Sequence, residues 1–214
     1  MKKTMIYRIL FYIIGLITLS AGIMLNTKVN LGVSCVTGVP FSVSEVFGIK
    51  FSRATFVVYM VIFVIEMILR GKKCKLYDLL QIPFTLVFSA FLDFFGALFT
   101  FGELSLFMRF VIFGIAVVLI AIGAAMSVGM KFVPNPPDGL AAAIGEALGK
   151  GMGFGKNFLD IACVATSLTV GLVFGGKVIG IGIGTLIAMI GVGRCVALFN
   201  KLVGGKLKKL AGLE

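Results

Sequence analysis

Long apolar segments, separated by short polar or basic stretches, make up almost the whole chain. Six of them are long enough to cross a bilayer as helices, which takes about 20 apolar residues. We place them at about residues 7–25, 54–69, 77–99, 106–130, 157–174 and 179–199. This pattern predicts an all-α, polytopic membrane protein.

Two further apolar segments, at about residues 36–47 and 140–148, are too short to span a bilayer. The second follows an Asn-Pro-Pro-Asp-Gly turn at residues 135–139, and we expect its helix to begin after the prolines with Asp138 as N-cap. Irregular backbone at membrane depth is tolerated only inside protein or beside a water-filled cavity. We therefore interpret both segments as broken or re-entrant half-helices and as the first place to look for a site.

The two short segments align when the chain is shifted by 101 residues. Gly38, Glu45 and Gly48 then fall on another Gly, Glu and Gly, and Gly22 falls on Gly123. Chance matching in an apolar, glycine-rich sequence is the alternative. We predict two membrane repeats, residues 1–102 and 103–214, within one membrane domain, the second ending in a basic C-terminal tail.

Composition agrees with this interpretation and adds an orientation. Hydrophobic residues are 59% of the chain, against about 45–50% in a soluble domain, and the mean hydropathy is +1.12. The net charge of +11 lies mostly in short stretches between apolar runs, which favours membrane orientation over nucleic-acid binding. If both short segments are re-entrant, both termini and the most basic internal loop, residues 70–75, are cytoplasmic. If both segments span, that loop faces outside, against the positive-inside rule.

If the short segments are re-entrant, each repeat contains three membrane spans. Because three is an odd number, the second repeat would be inverted relative to the first. Inverted repeats with broken helices that meet near the bilayer midplane are typical of many transporters. The predicted fold is therefore two inverted repeats of three transmembrane helices, each with one half-helix.

Carboxylates and polar groups in the short segments are the leading site candidates. Glu45 and Glu146 could face each other across a pseudo-two-fold axis and bind a cation or exchange a proton. The alternative is that each reaches interfacial water or a neighbouring lysine. Thr37, Asn135 and Asp138 lie where the half-helices start, and free N–H groups there attract anions or polar ligand atoms. Simple N-capping is the alternative.

Polar residues of the long spans are weaker candidates. Gln81 is a candidate for the cavity wall, with interhelical hydrogen bonding as the alternative. Four residues are predicted to form ion pairs or gates: Asp93 with Arg109, and Asp160 with either Lys156 or Arg194. Glu66 and Arg70, four residues apart at a helix end, are interpreted as a pair that reaches toward the membrane surface.

Some kinds of chemistry have no sequence support. The chain has no His, and its four Cys are scattered without a CxxC, so we predict no metal site and no cofactor. No nucleophile–base pair is visible, which argues against an enzyme. The expected partners are membrane lipid and a small-molecule or ion substrate, with no nucleic acid, and a homodimer stays open.

Three motifs carry a resemblance to a known family. Pro137-Asp138-Gly139-Leu140, the glycine-rich residues 180–186 and residues 78–83 resemble the YczE/YitT-like bacterial integral membrane proteins over nearly the whole chain. The first half departs from the Pro-Asp motif, with Val36-Thr37-Gly38 in its place. The resemblance implies a multi-pass protein of the bacterial plasma (inner) membrane and says little about substrate. The Asn-Pro turn is also similar to the Asn-Pro-Ala turns of aquaporins, as an architectural analogy only.

These observations support three functional hypotheses. The first is a small secondary transporter of a polar or charged molecule, with its site between the half-helix tips and with proton or cation coupling through Glu45 and Glu146. The second is a passive channel for a small solute or ion. The third is a membrane scaffold or regulatory protein that transports nothing.

Overall fold

The computed structural model describes residues 2–213, and that range is helical with no strand. The helices are α1 (Lys2–Lys28), α2 (Cys35–Phe47), α3 (Phe51–Arg70), α4 (Gln81–Leu98), α5 (Leu106–Gly129), α6 (Pro136–Ala147), α7 (Met152–Gly175), α8 (Ile183–Phe199) and α9 (Gly205–Leu210). Two 3₁₀ turns, Gly71–Lys73 and Leu76–Leu80, link α3 to α4, and a π-helical turn, Asn200–Gly204, joins α8 to α9.

Six helical stretches are long and apolar enough to cross a membrane. They are Thr4–Lys28, Phe51–Lys73, Leu76–Leu98, Leu106–Gly129, Met152–Gly175 and Ile183–Leu210. These stretches coincide with the six predicted spans, and the chain is a polytopic α-helical membrane protein.

The two short helices are, as predicted, too short to span a bilayer, although α6 begins earlier than residue 140. At 13 and 12 residues, α2 and α6 are about 18–20 Å long, well below the ~30 Å of a bilayer core. The predicted N-cap of α6 is wrong. Asn135 takes that position, and Pro136 and Pro137 form the first helical turn, where the N–H that proline lacks has no intrahelical partner to lose.

The last span begins later than the sequence predicts. Residues 179–182 are not helical, and α8 starts at Ile183. Gly180 has a left-handed φ of 74° and its carbonyl accepts a hydrogen bond from the Val33 N–H at 2.8 Å. Glycine has no Cβ to oppose this conformation, so the segment leaves the helix and pairs with the α1–α2 loop.

The centre of the molecule is an antiparallel pair, α1 and α5, whose backbones touch. A Cβ on Gly22 would lie 2.7 Å from the Ile120 backbone nitrogen, and a Cβ on Gly123 would lie 2.6 Å from the Leu19 Cα. The two contacts run in opposite chain order, which fixes the antiparallel sense. Such close approach needs glycine at both positions.

The other helices pack around this pair. Helix α2 lies on α3 and α7, and α6 lies on α3 and α7 as well. Helix α4 lies on α1 and α3, and α8 lies on α5. Within the described residues neither α4 with α5 nor α7 with α8 forms an extensive contact. Both half-helices therefore pack against α3 and α7, and residues of their first turns line one cavity.

Candidate functional site

The starts of α2 and α6 line a cavity of about 760 Å³. Its walls on α1 and α5 are apolar, formed by Leu19 and Ile23 and by Ile120 and Ala124. Its polar groups come from the half-helix starts and the first three turns of α7, and also from Tyr59, Lys131, Asn200 and Lys208. The chain thus places its few charged side chains against an apolar wall, which is typical of a binding site for a small polar molecule.

The first turns of both half-helices direct backbone N–H groups toward this cavity. Ser34 is the N-cap of α2 and Asn135 is the N-cap of α6, but neither side chain caps its helix. The Ser34 hydroxyl instead donates to the Thr37 Oγ1 at 2.8 Å. Helix starts without a side-chain cap keep partly positive N–H groups that attract anions and polar ligand atoms.

The helix α7 supplies an ion pair at the cavity wall. Lys156 Nζ lies 3.4 Å from Asp160 Oδ1, and both residues line the cavity. The Asp160 residue is 9% exposed, whereas the Lys156 side chain is half exposed. Asp138, at the start of α6, also lines the cavity. The site therefore combines carboxylates, an ammonium group and two helix starts.

A tyrosine that the sequence did not single out completes the site. Tyr59 on α3 is 6% exposed and its ring stacks on Phe88 at 6.0 Å between centroids. It lines the cavity, and its hydroxyl forms no hydrogen bond with any described residue. The hydroxyl is not among the fully buried atoms that lack a partner, and it can donate to or accept from a bound molecule. Tyr59 lies in an apolar run where only the fold reveals its position.

The structure brings Thr37, Asn135 and Asp138 to the cavity but does not bring the two glutamates there. Glu45 and Glu146 lie near the opposite ends of their half-helices, with exposed side chains. Lys73 Nζ lies 2.6 Å from Glu146 Oε1, and this contact lowers the pKa of Glu146. Each glutamate follows the site residue of its half-helix, Thr37 or Asp138, by eight positions, a rise of about 12 Å, which puts it at the end of the helix away from the cavity.

The predicted ion pairs between the outer spans are not formed among the described residues. Asp93 accepts a hydrogen bond from the Ser52 hydroxyl at 2.6 Å, and Arg109 donates to the Leu104 carbonyl at 3.3 Å. Arg194 is exposed and does not pair with Asp160. The reason is the packing, since each proposed pair joins helices that lack an extensive contact, α4 with α5 or α7 with α8.

Gln81 belongs to a separate buried cluster rather than to the cavity wall. Its Nε2 donates to Glu66 Oε2 at 3.1 Å, and Arg70 lies 2.9 Å from the other Glu66 oxygen. The predicted Glu66–Arg70 pair is formed, with the Arg70 side chain partly exposed at the helix end and the Glu66 carboxylate fully buried. The carboxylate packs under Gly139 of α6, where a Cβ would lie 2.6 Å from the Glu66 Cδ. This contact links the cluster to the half-helix that carries Asp138.

Comparison with known proteins gives a family and no activity. The chain is 27% identical over 194 residues to the uncharacterized protein YyaS of Bacillus subtilis (strain 168), which covers 91% of this chain and 92% of that protein. No solved structure matches. The narrower YczE/YitT-like resemblance stays a prediction. A family model matches residues 6–201, and the chain therefore belongs to the family of unknown function DUF6198.

Proposed function

We propose that this protein is a small secondary transporter of a polar or charged small molecule. The observation that carries the proposal is the cavity of about 760 Å³ between the starts of α2 and α6, with the unpartnered Tyr59 hydroxyl in its wall. Its bound molecule would contact Thr37, Asn135 and Asp138 and the Lys156–Asp160 pair. Discontinuous helices that present their N-termini at a central site are characteristic of secondary transporters.

Backbone conformations support an inverted repeat in the chain. The non-glycine residues with positive φ among those described are Asn30, at 55°, and Lys131, at 46°, and they are 101 positions apart. Gly48 and Gly149, also 101 positions apart, have φ of 63° and 62° just beyond the two half-helices. Positive φ is rare outside glycine, so coincidence at this spacing is a poor explanation.

Contacts between the halves recur at the same spacing. Gly22 packs on Ile120, and Gly123 packs on Leu19, so each contact maps onto the other when 101 is added or subtracted. Gly38 approaches Ser167 in the same way that Gly139 approaches Glu66. Reciprocal contacts of this kind are the signature of a two-fold axis. The antiparallel sense of α1 and α5 requires that axis to lie in the membrane plane.

The wall of the cavity is built from matching positions. Leu19 and Ile120, and Thr37 and Asp138, are pairs 101 residues apart that line the same cavity. Tyr59 and Asp160 form a third pair at the same spacing. The cavity therefore lies on the proposed axis, where inverted-repeat transporters place their substrate.

One departure from the symmetry favours a transporter over a passive channel. Helix α3 packs on α4, whereas the corresponding helices α7 and α8 lack an extensive contact. The cavity reaches α8 as far as Val196 and Asn200, and so it opens along the second repeat. If α7 instead packed on α8 and α3 separated from α4, the cavity would open toward the opposite face of the membrane. An access path on one face at a time is what coupled transport requires.

The carboxylates that would couple transport to a proton or cation differ from those that the sequence suggests. Asp138 and Asp160 line the cavity and could take up a proton or cation with the substrate, whereas Glu45 and Glu146 lie outside it. The expected partners are membrane lipid and this substrate. Nothing in the packing of the chain assigns a homodimer.

Uptake by proteoliposomes tests the proposal. A ligand screen by thermal shift would be followed by uptake measurements with and without a proton gradient, on wild type, Tyr59→Phe, Asp138→Asn and, as the control carboxylate, Glu45→Gln. We expect Asp138→Asn to abolish accumulation against a gradient, Tyr59→Phe to weaken binding, and Glu45→Gln to behave as wild type. Flux that needs no gradient and survives Asp138→Asn would instead identify a channel.

A further inference from the structure

A second, smaller cavity of about 380 Å³ lies beside the end of α1. It is bounded by the α1–α2 loop, by Phe41 of α2 and by the loop between α7 and α8. Its polar side chains are those of Asn26, Thr27 and Asn30. No charged side chain lines it, in contrast to the larger cavity.

The distinctive group beside this cavity is the amide of Asn26, a lining residue whose amide atoms are themselves closed off from solvent, so that the side chain would have to turn to reach a bound group. The residue is 1% exposed, and neither its Nδ2 nor its Oδ1 has a hydrogen-bond partner among the described residues. Leaving a buried donor and acceptor both unpaired is unfavourable, so an unpaired buried amide implies a partner from outside the chain. A single water takes about 30 Å³, so the cavity has room for more than one solvent molecule.

The two cavities follow one another along three parts of the chain. On α1, Ile23 lines the larger cavity and Asn26 lines the smaller one. In the loop that follows, Ser34 lines the larger cavity and Val33 lines the smaller one. The loop before α8 and the first residue of α8, Ile183, line the smaller cavity, whereas later residues of α8 line the larger one. The cavities are therefore aligned, one beyond the other.

An apolar layer closed by loop hydrogen bonds separates them. Val29 is fully buried and packs in a cluster with Phe113 and Ala188. The Gly184 N–H, in the first turn of α8, donates to the Leu31 carbonyl at 2.7 Å, and the Val33 N–H donates to the Gly180 carbonyl at 2.8 Å, which ties the two loops together. Phe113 and Ala188 lie on α5 and α8, so the loop side of this layer is the part suited to open as a gate, because loops open at lower free energy than packed helices.

We propose that the smaller cavity is a binding site for an uncharged group with adjacent hydrogen-bond donor and acceptor, such as a carboxamide, on the far side of this gate. Asn26 would pair with that group through both of its amide atoms. The inference rests on the proposed function, since it makes the two cavities the two halves of one transport path. The larger cavity would then bind the charged part of the same molecule, after the gate opens.

Cysteine labelling tests the arrangement without any transport assay. In a background with the four native cysteines changed to Ala, and with its folding checked by thermal unfolding, Thr27→Cys reports on the smaller cavity and Asn157→Cys on the larger. With a membrane-impermeant maleimide, we expect Thr27→Cys to react in intact cells and Asn157→Cys to react only after permeabilisation. Equal reaction of both from one face would overturn the two-cavity path.

Protection from labelling tests the ligand class. Acetamide should slow the labelling of Thr27→Cys several-fold, while acetate, which carries a charge, should not. Adding Asn26→Leu should remove the protection. Absence of protection by acetamide, or equal protection in the Asn26→Leu variant, would show that the cavity holds only water. Labelling and protection as expected without flux in proteoliposomes would refute the transporter and leave the site standing.

Discussion

The contact between α6 and α7 offers the sharpest test of the packing. A Cβ added at Gly155 would lie 2.8 Å from the Gly145 backbone nitrogen and nearer still to the Ala141 carbonyl oxygen. These atoms are backbone, so no side-chain rotation relieves the clash. The two helices would have to separate by on the order of 1 Å in an interior that is closely packed.

The expected magnitude follows from two opposing terms. Overpacking of this kind costs typically 1–3 kcal/mol, and a clash with backbone belongs at about 3 kcal/mol. Replacing Gly by Ala within a helix returns about 1 kcal/mol. We therefore expect Gly155→Ala to lower the free energy of unfolding by about 2 kcal/mol. Gly153 lies on the same helix, and a Cβ there would meet nothing within 4 Å, so Gly153→Ala should be neutral or stabilise by up to about 1 kcal/mol.

Reversible unfolding in mixed detergent micelles, followed by circular dichroism, measures both variants. Their free energies of unfolding should differ by about 2–3 kcal/mol, roughly 30- to 150-fold in the folding equilibrium constant. Because Asp138 and Lys156 lie on these two helices, ligand binding should weaken in Gly155→Ala as well. Equal stability of the two variants would refute the close packing of α6 on α7.

Two further predictions concern groups outside the cavity. Gly139→Ala should destabilise the protein by about 2 kcal/mol in the same unfolding assay, since the added Cβ displaces the buried Glu66 carboxylate from its partners. In the matched substitution Gly38→Ala, the added Cβ would lie 3.2 Å from the Ser167 hydroxyl, so this variant should lose less than half as much stability. Equal losses in the two variants would contradict the prediction. The Lys73–Glu146 pair lowers the pKa of the glutamate, so the pair stabilises the protein above the ordinary pKa of a glutamate, and this stabilisation is lost as the pH falls through the lowered pKa. Wild type and Glu146→Gln should therefore differ slightly in melting temperature at neutral pH and converge in acid. A difference that grows in acid would count against the pair.

Much of the fold is readable from the sequence because a bilayer imposes strong rules. Twenty apolar residues predict a span, and two segments of half that length predict short helices, whatever packs around them. Helix boundaries were less predictable. The two prolines before Asp138 look like a break but form a first turn, and the glycines at 180 and 182 delay α8 because they pair with a distant loop.

The site was only half predictable. Thr37, Asn135 and Asp138 could be found because a helix start needs no knowledge of tertiary packing. Tyr59 could not, since an apolar span gives no sign of which face meets a cavity. Charge alone misled for Glu45 and Glu146: a carboxylate in an apolar segment signals a site only if its end of the helix is buried.

The direct backbone contact between α1 and α5 also has a mechanical consequence. Where glycines let two helices touch, no intervening layer of side chains is available to repack, so the pair resists sliding and acts as a stiff spine. Displacement during any opening of the cavities then falls on the peripheral helices. Helix α8 is the least enclosed of these, because only 6% of the apolar part of its span is buried, and we expect it to move most. Distances measured between spin labels on α1 and α5 should stay constant in every state, while those from α1 to α8 should vary.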